Sequence, residues 1–173
     1  MGLRPAKCYR KLERPNTRIS ISKPRKSYVK GVPPSKIHRF NSGVDKPEFT
    51  IKMYLVIKNA VQMRNNALEA MRLSATKELE KKAGVDGFFA KILIFPHHVL
   101  RENPLATGAG ADRFQTGMRK AFGRPIGTAA RTKKNQRILE AKVAPIHEAA
   151  CRHALKIASS KVPSSCYIET IRL

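Results

Sequence analysis

The sequence predicts an α+β domain in which two helices pack on a small, mostly antiparallel sheet, preceded by a basic extended arm and carrying basic hairpins. Three observations predict it: apolar stripes at helical spacing, segments in which apolar and polar residues alternate, and cations crowded where neither pattern holds. The 173 residues are 42% hydrophobic, which is enough at this length to bury a real core and too much for a basic disordered tail. They also carry 35 Lys and Arg against 12 Asp and Glu, a formal net charge of +23. Self-repulsion on that scale disfavours the compact chain, and a polyanionic partner relieves it.

Residues 49–58 open the domain as a strand, with Phe49, Ile51, Met53, Leu55 and Ile57 alternating with Thr50, Lys52, Tyr54, Val56 and Lys58. A helix is expected after Asn59, because Met63, Ala67, Met71, Ala75 and Leu79 recur every four residues. Lys81 and Lys82 lie in its last turn and Gly84 stops it. Residues 88–95 read as a second apolar strand ended by Pro96. Residues 101–112 have no periodicity, contain Pro104, Gly108 and Gly110, and read as a long mobile loop. Between Arg113 and Arg137 eight cations occur without one acid, spaced by Gly117, Gly123 and Gly127, which favours short strands and turns over a helix. A further strand follows over 136–143. Pro145 then leads into a helical stripe of Ile146, Ala149, Ala150, Ala154, Ile157 and Ala158, and 167–173 reads as a last strand. The domain is thus expected over 49–173, with 1–48 an extended basic arm and connecting segment.

Charge is segregated along this plan. Residues 1–52 hold 14 bases and 3 acids, 53–100 hold 7 and 4, 101–142 hold 10 and 3, and 143–173 hold 4 and 2. The near-neutral blocks are expected to form the core and the basic ones to face the partner. In the first block Arg4, Lys7, Arg10, Lys11, Arg14, Arg18, Lys23, Arg25 and Lys26 are punctuated by Pro5, Pro15 and Pro24, a density that excludes a long helix. Tyr9, Tyr28 and Phe40 lie among those cations, and packing on the domain is favoured over stacking on bases, because a basic arm needs an anchor.

Several classes find no support. The longest apolar runs, 54–57 and 92–95, fall far short of the roughly 20 residues of a membrane span, and the N-terminus has no signal-peptide core, so a soluble intracellular chain is expected. Cys8, Cys151 and Cys166 form no Cys-x-x-Cys pair, and neither a disulfide framework nor a zinc knuckle is indicated. His147 and Cys151 stand one helical turn apart without a matching pair, which reads as ordinary helix. Histidines 97 and 98 end a strand, where contact with phosphate suits them better than general-base work. The Gly108-Ala-Gly110 segment lacks the downstream Gly-Lys-Ser/Thr of a phosphate loop. The tripeptide Gly123-Arg124-Pro125 could lie in an A/T-rich minor groove, but a single copy reads better as a turn beside an exposed Arg. No catalytic residue, metal or cofactor is expected. An architectural RNA-binding protein is the leading reading, ahead of a DNA-compacting protein and a nucleic-acid-modifying enzyme.

Three separated segments carry a resemblance: residues 1–10 (Met-Gly-Leu-Arg-Pro-Ala-Lys-Cys-Tyr-Arg), residues 31–37 (Gly-Val-Pro-Pro-Ser-Lys-Ile), and above all residues 108–123 (Gly-Ala-Gly-Ala-Asp-Arg-Phe-Gln-Thr-Gly-Met-Arg-Lys-Ala-Phe-Gly). In this order they resemble the L-ten-e family of archaeal and eukaryotic large-subunit ribosomal proteins, counterparts of bacterial protein L-sixteen, over essentially the whole chain. The resemblance implies an α/β-hammerhead fold, a cytoplasmic place in the large ribosomal subunit, binding to large-subunit rRNA near the central protuberance, and 5S rRNA and ribosomal proteins as neighbours. It implies that a loop approaches tRNA and the peptidyl-transferase region. Carried onto this chain that loop is 101–112, with Arg101, Asn103, Leu105, Gly108, Gly110 and Asp112. The rRNA-binding residues would be the arm cations named above together with Arg113, Arg119, Lys120, Arg124, Arg131, Lys133 and Lys134. Eukaryotic members continue beyond the last strand whereas this sequence stops at Leu173, so an archaeal member is expected.

Overall fold

The computed structural model describes residues 3–12, 22 and 29–172, with Lys120 as backbone alone. In chain order the elements are β1 (Asn41–Gly43), β2 (Ile51–Ile57), β3 (Gln62–Arg64), α1 (Asn65–Ala83), β4 (Phe88–Ile92), β5 (His98–Glu102), α2 (Ala111–Phe114), β6 (Arg124–Arg131), β7 (Gln136–Val143), α3 (Glu148–Ser159) and β8 (Cys166–Arg172). Short 3-10 turns occur at Ala6–Cys8, Gly117–Lys120 and Pro145–His147. The class is α+β with antiparallel pairing, but the strands form two sheets rather than one: β1-β4-β7-β2-β8 and β3-β6-β5.

The alternation over 49–58 folds as expected, with Ile51, Met53, Leu55 and Ile57 all buried on one face of β2. Val56 is buried as well. The β2–β7 ladder shifts register between Leu55 and Val56, which face Leu139 and Arg137, so Ile138 is an extra residue on β7 that breaks the period of two. Helices α1 and α3 pack on each other and over the five-stranded sheet. The core lies between them, with Leu68, Met71 and Leu79 from α1 meeting Leu155 from α3 and Phe88, Leu139 and Val143 from the strands. Ala75, Ala154 and Ala158 bring the two helix backbones close.

The helices are shifted from their expected phase. The first begins at Asn65 rather than after Asn59, because Met63 belongs to β3 and is buried opposite Ala130 of β6. Its buried stripe is Leu68, Met71, Ala75 and Leu79, a 3.6-residue repeat, whereas a strict step of four had pointed to Ala67. In α3 the stripe is Cys151, Ala154, Leu155 and Ala158, while Ile146 is 89% exposed. Burial pushes the Cys151 thiol up to about 12, so this side chain packs as a small apolar group.

The expected basic hairpin is also corrected. Strands β6 and β7 follow one another in the chain but lie in different sheets. Thr132 makes the crossing: its backbone N–H and its hydroxyl both donate to the Val61 carbonyl, and the hydroxyl accepts the Val61 N–H. Asn135 follows at φ 58° with its N–H on the Ile57 carbonyl. These bonds tie the turn to the segment joining β2 to β3. A buried bond from Asn65 Nδ2 to Thr128 Oγ1 ties the start of α1 to β6. No described helix is long and apolar enough to cross a membrane.

Candidate nucleic-acid interface

The three-stranded sheet carries Arg101, Arg124 and Arg131, and the segments that flank it carry Arg113, Arg119, Lys133 and Lys134. Register sets their spacing. Arg124 and Arg131 stand at opposite ends of β6, roughly 23 Å apart at about 3.3 Å per residue. The first end faces Glu102 of β5 and the second faces Gln62 of β3.

Residues 3–12 run beside β3, which is otherwise an edge, and join those ends. The Gln62 N–H donates to the Arg10 carbonyl, Gln62 Nε2 donates to the Tyr9 carbonyl, and Arg64 donates to the Arg4 carbonyl. Arg10, Gln62 and Arg131 therefore lie on three adjacent backbones. At the other end Arg4 Nε and the Tyr9 hydroxyl both donate to the Glu102 carboxylate, at 2.5 and 3.0 Å. Burial, then the Glu102 carboxylate, pushes the Tyr9 phenol up to about 12, so it remains a donor. The Arg64 guanidinium lies 5.7 Å from the Tyr9 ring centroid. Tyr9 thus packs on the domain, and so does Phe40, which stacks on Phe95 at 5.3 Å. Tyr28 lies outside the described residues.

Deleting residues 2–30 is expected to preserve a cooperative thermal transition, since no described residue before Ile37 belongs to the core. The bonds on Gln62, Arg64 and Glu102 would be lost, at about 2 kcal/mol in sum, so calorimetry should find the midpoint lower by roughly 4–8 °C.

Segment 101–112 is less uniform than its sequence suggests. Arg101 and Glu102 end β5, and Asp112 lies in the one-turn helix α2, which leaves 103–110 as the connecting loop. β5 escapes a search for alternation because Val99 and Leu100 are buried in succession, next to a register shift at Leu100/Arg101. In the loop the Gln115 amide bridges the chain, accepting from the Ala106 N–H and donating to the Pro104 carbonyl. Arg101 Nε and Asn103 Nδ2 are buried at its base without an acceptor among the described residues. The Arg101 guanidinium lies over the Phe122 ring, 3.5 Å from its centroid.

Gly123 closes that base. Its φ is +72°, and a Cβ there would lie 2.5 Å from the Glu102 carbonyl oxygen. Gly123→Ala is expected to cost about 1–3 kcal/mol in denaturant unfolding and to raise amide exchange at 102–103, where the backbone must move to make room.

The remaining site residues divide by what holds them. Lys7, Arg10, Lys11, Arg113, Arg119, Arg124, Lys133 and Lys134 have exposed side chains that enter no ion pair among the described residues, and Arg131 is exposed. Leu105, Gly108 and Gly110 lie on the loop, the two glycines at φ 123° and 77°. By contrast Arg137 is spent inside the fold, with two bonds of 2.9 Å to Glu169 and its guanidinium 4.3 Å from the Tyr54 ring centroid. His98 sits at the start of β5, where burial, then Arg131, holds its imidazole below its ordinary range. Arg14, Arg18, Lys23, Arg25 and Lys26 lie outside the described residues, as does the Lys120 side chain. Glu102 went unsuspected as the anchor of the N-terminal segment, since nothing local marks an acid that is paired 98 residues away in the chain.

A family model described as ribosomal protein L16p/L10e matches residues 16–169. Among curated relatives, the large ribosomal subunit protein uL16 of Archaeoglobus fulgidus is 43% identical over 95% of this chain and 90% of its own length. Its namesake in Methanococcus maripaludis is 42% identical over 97% and 94%. That of Thermoplasma volcanium is 42% identical over 97% and 92%.

Proposed function

The chain belongs to the ribosomal protein L16p/L10e family, and from that premise we propose that it is a structural, non-catalytic constituent of the large ribosomal subunit that binds large-subunit rRNA through the three-stranded sheet and its flanks. The observation that carries the reading is the run from Arg113 to Lys134, which contains no acid and holds exposed Arg113, Arg119, Arg124, Lys133 and Lys134, none of them in an ion pair among the described residues. Cations fixed at both ends of one strand suit an RNA backbone, whose phosphates position a protein without specifying sequence. Residues 1–48 act as a cationic arm and connecting segment, whose Ile37, Phe40 and β1 pack onto a domain spanning 49–173, and the two sheets with helices α1 and α3 form the family's α/β-hammerhead. Arm cations Arg14, Arg18, Lys23, Arg25 and Lys26, together with Lys7, Arg10 and Lys11, add phosphate contacts. Arg4 acts mainly through Glu102, which it holds at the root of the loop. That loop, with Asn103, Leu105, Gly108 and Gly110 between Arg101 and Asp112, extends towards tRNA and the peptidyl-transferase region, while 5S rRNA and ribosomal proteins adjoin the domain.

Sucrose-gradient sedimentation of tagged protein tests the assignment. Co-migration with large subunits is expected; co-migration with DNA instead would overturn it. The loop is tested separately by replacing 103–110 with a short Gly-Ser turn. Incorporation into subunits should persist while peptide synthesis by those subunits falls. An unchanged synthesis rate at full incorporation would remove the loop's role, and failed incorporation would make the loop's own rRNA contacts indispensable to assembly.

A further inference from the structure

Between the loop and the turn that follows it lies an open groove of about 540 Å³, lined by Leu105 and Ala106 on one side and by Ala111, Asp112, Met118 and Arg119 on the other. That volume suits a small-molecule-sized guest. Its apolar walls are unusually bare for a surface: Leu105 is 51% and Met118 66% exposed. Two exposed rings lie close by in the chain, Phe114 between lining residues at 88% and Phe122 just beyond them at 60%, the latter with one face under the Arg101 guanidinium. These groups stand among Arg113, Arg119 and Arg124, exposed and in no ion pair among the described residues, so the guest must be apolar in one part and anionic in another.

Resting on the ribosomal reading above, we infer that this groove takes a single unpaired nucleotide of large-subunit rRNA, extruded from its helix. A duplex presents phosphates and sugars outward and has nothing to set against Leu105 and Met118, whereas an extruded nucleotide offers both an apolar face and a phosphate. The base lies between the Leu105 and Met118 side chains, and Arg119 meets the adjoining phosphate. Asp112 is the one acid in the lining. Beside a phosphate alone it would repel; beside a base it accepts from an exocyclic amine. The groove's shape is held from within, because Gln115 fixes the backbone at Pro104 and Ala106 and so sets the separation of its walls. The Phe114 ring, and the face of Phe122 turned away from Arg101, offer stacking surfaces to neighbouring unpaired nucleotides.

The test measures binding of the full-length protein to an RNA hairpin with a single 2-aminopurine bulge and to the same hairpin without it. The bulged RNA is expected to bind about tenfold more tightly or better, with altered 2-aminopurine fluorescence, given the 1–3 kcal/mol that stacking one base contributes. The Leu105→Ser/Met118→Ser double variant should lose that preference while keeping its affinity and salt dependence for the unbulged hairpin. Leu73→Ser, an equally exposed change on α1, should lose nothing. Equal binding of both hairpins by the unaltered protein would overturn the inference, and so would a preference that survives the double variant. Tighter binding of a single-stranded 3′ end than of the bulge, or retention on phosphatidylserine vesicles with no preference between hairpins, would likewise overturn it. Salt-dependent binding to the unbulged hairpin would persist in any of these cases if the rRNA-binding reading holds, so the two fail separately.

Discussion

Replacing Arg113, Arg119, Arg124, Lys133 and Lys134 together by Gln is expected to flatten the log–log salt dependence of rRNA binding by about 3.5–4.5, from five phosphate contacts at 0.7–0.9 each. At physiological salt the affinity should fall by about three orders of magnitude, the same slope applied to the dilution of salt from the standard state. The fold should not suffer. All five side chains are exposed and outside the ion pairs among described residues, and the net charge falls from +23 to +18, which relieves self-repulsion. Filter binding across a salt series, with a thermal melt of the same variant, separates the two effects. A slope unchanged by the substitutions would refute the assignment of these residues. A lowered melting point would mean that some of them hold the domain together.

Leu139→Ala is expected to produce the largest loss of stability. Leu139 is 1% exposed on the strand that pairs with both β4 and β2, opposite Ile92 and Leu55. A cavity there has strands on both sides and helices above, with little freedom to collapse, so a cost of about 2–5 kcal/mol is expected against a total of roughly 5–15. Calorimetry should record a midpoint lower by roughly 10 °C. Ile146→Ala serves as the control: it removes a side chain of similar size that is 89% exposed, and should change stability by no more than about 0.5 kcal/mol. Comparable losses from both would mean that Ile146 contacts more than the described structure contains.

Elements were readable where one period governs one face. The alternation of Ile51, Met53, Leu55 and Ile57 and the Lys81-Lys82-Gly84 ending of α1 are of that kind, since burial and capping both act over a few neighbouring residues. Errors arose where two structures bury the same side chain. Met63 is buried in β3 as it would be in a helix, so its place in a four-residue recurrence concealed the start of α1. The irregularity beside Arg101 removes alternation from β5, whose end reads as loop, whereas β7 is legible over 136–143 despite the extra residue at Ile138. Within the candidate interface, the cations were visible as composition, but which of them are spent was not. Arg4 and Arg137 look like the rest until Glu102 and Glu169 are brought to them by pairings 98 and 32 residues apart in sequence. The groove was invisible for the same reason, because its two walls meet only after β5 and β6 fix the ends of the intervening chain.

The order β1-β4-β7-β2-β8 bears on how the nascent chain is completed. No strand of that sheet pairs with its predecessor or successor in the chain. When β2 emerges during synthesis, its first partner is still 79 residues away, and its second does not begin until Cys166. At about 5–20 residues per second the wait for β7 alone is roughly 4–16 s. Throughout it Met53, Leu55 and Ile57 sit on a strand with two open edges, in a polypeptide carrying an excess of cations that any nearby polyanion will attract. Ladders closed over such separations are slow to form even in the released protein, because loop entropy is lost before any pairing compensates for it. A ribosome stalled before codon 166 would therefore hold a chain whose β2 has an unprotected edge, which makes the last strand the step that commits this protein to its fold.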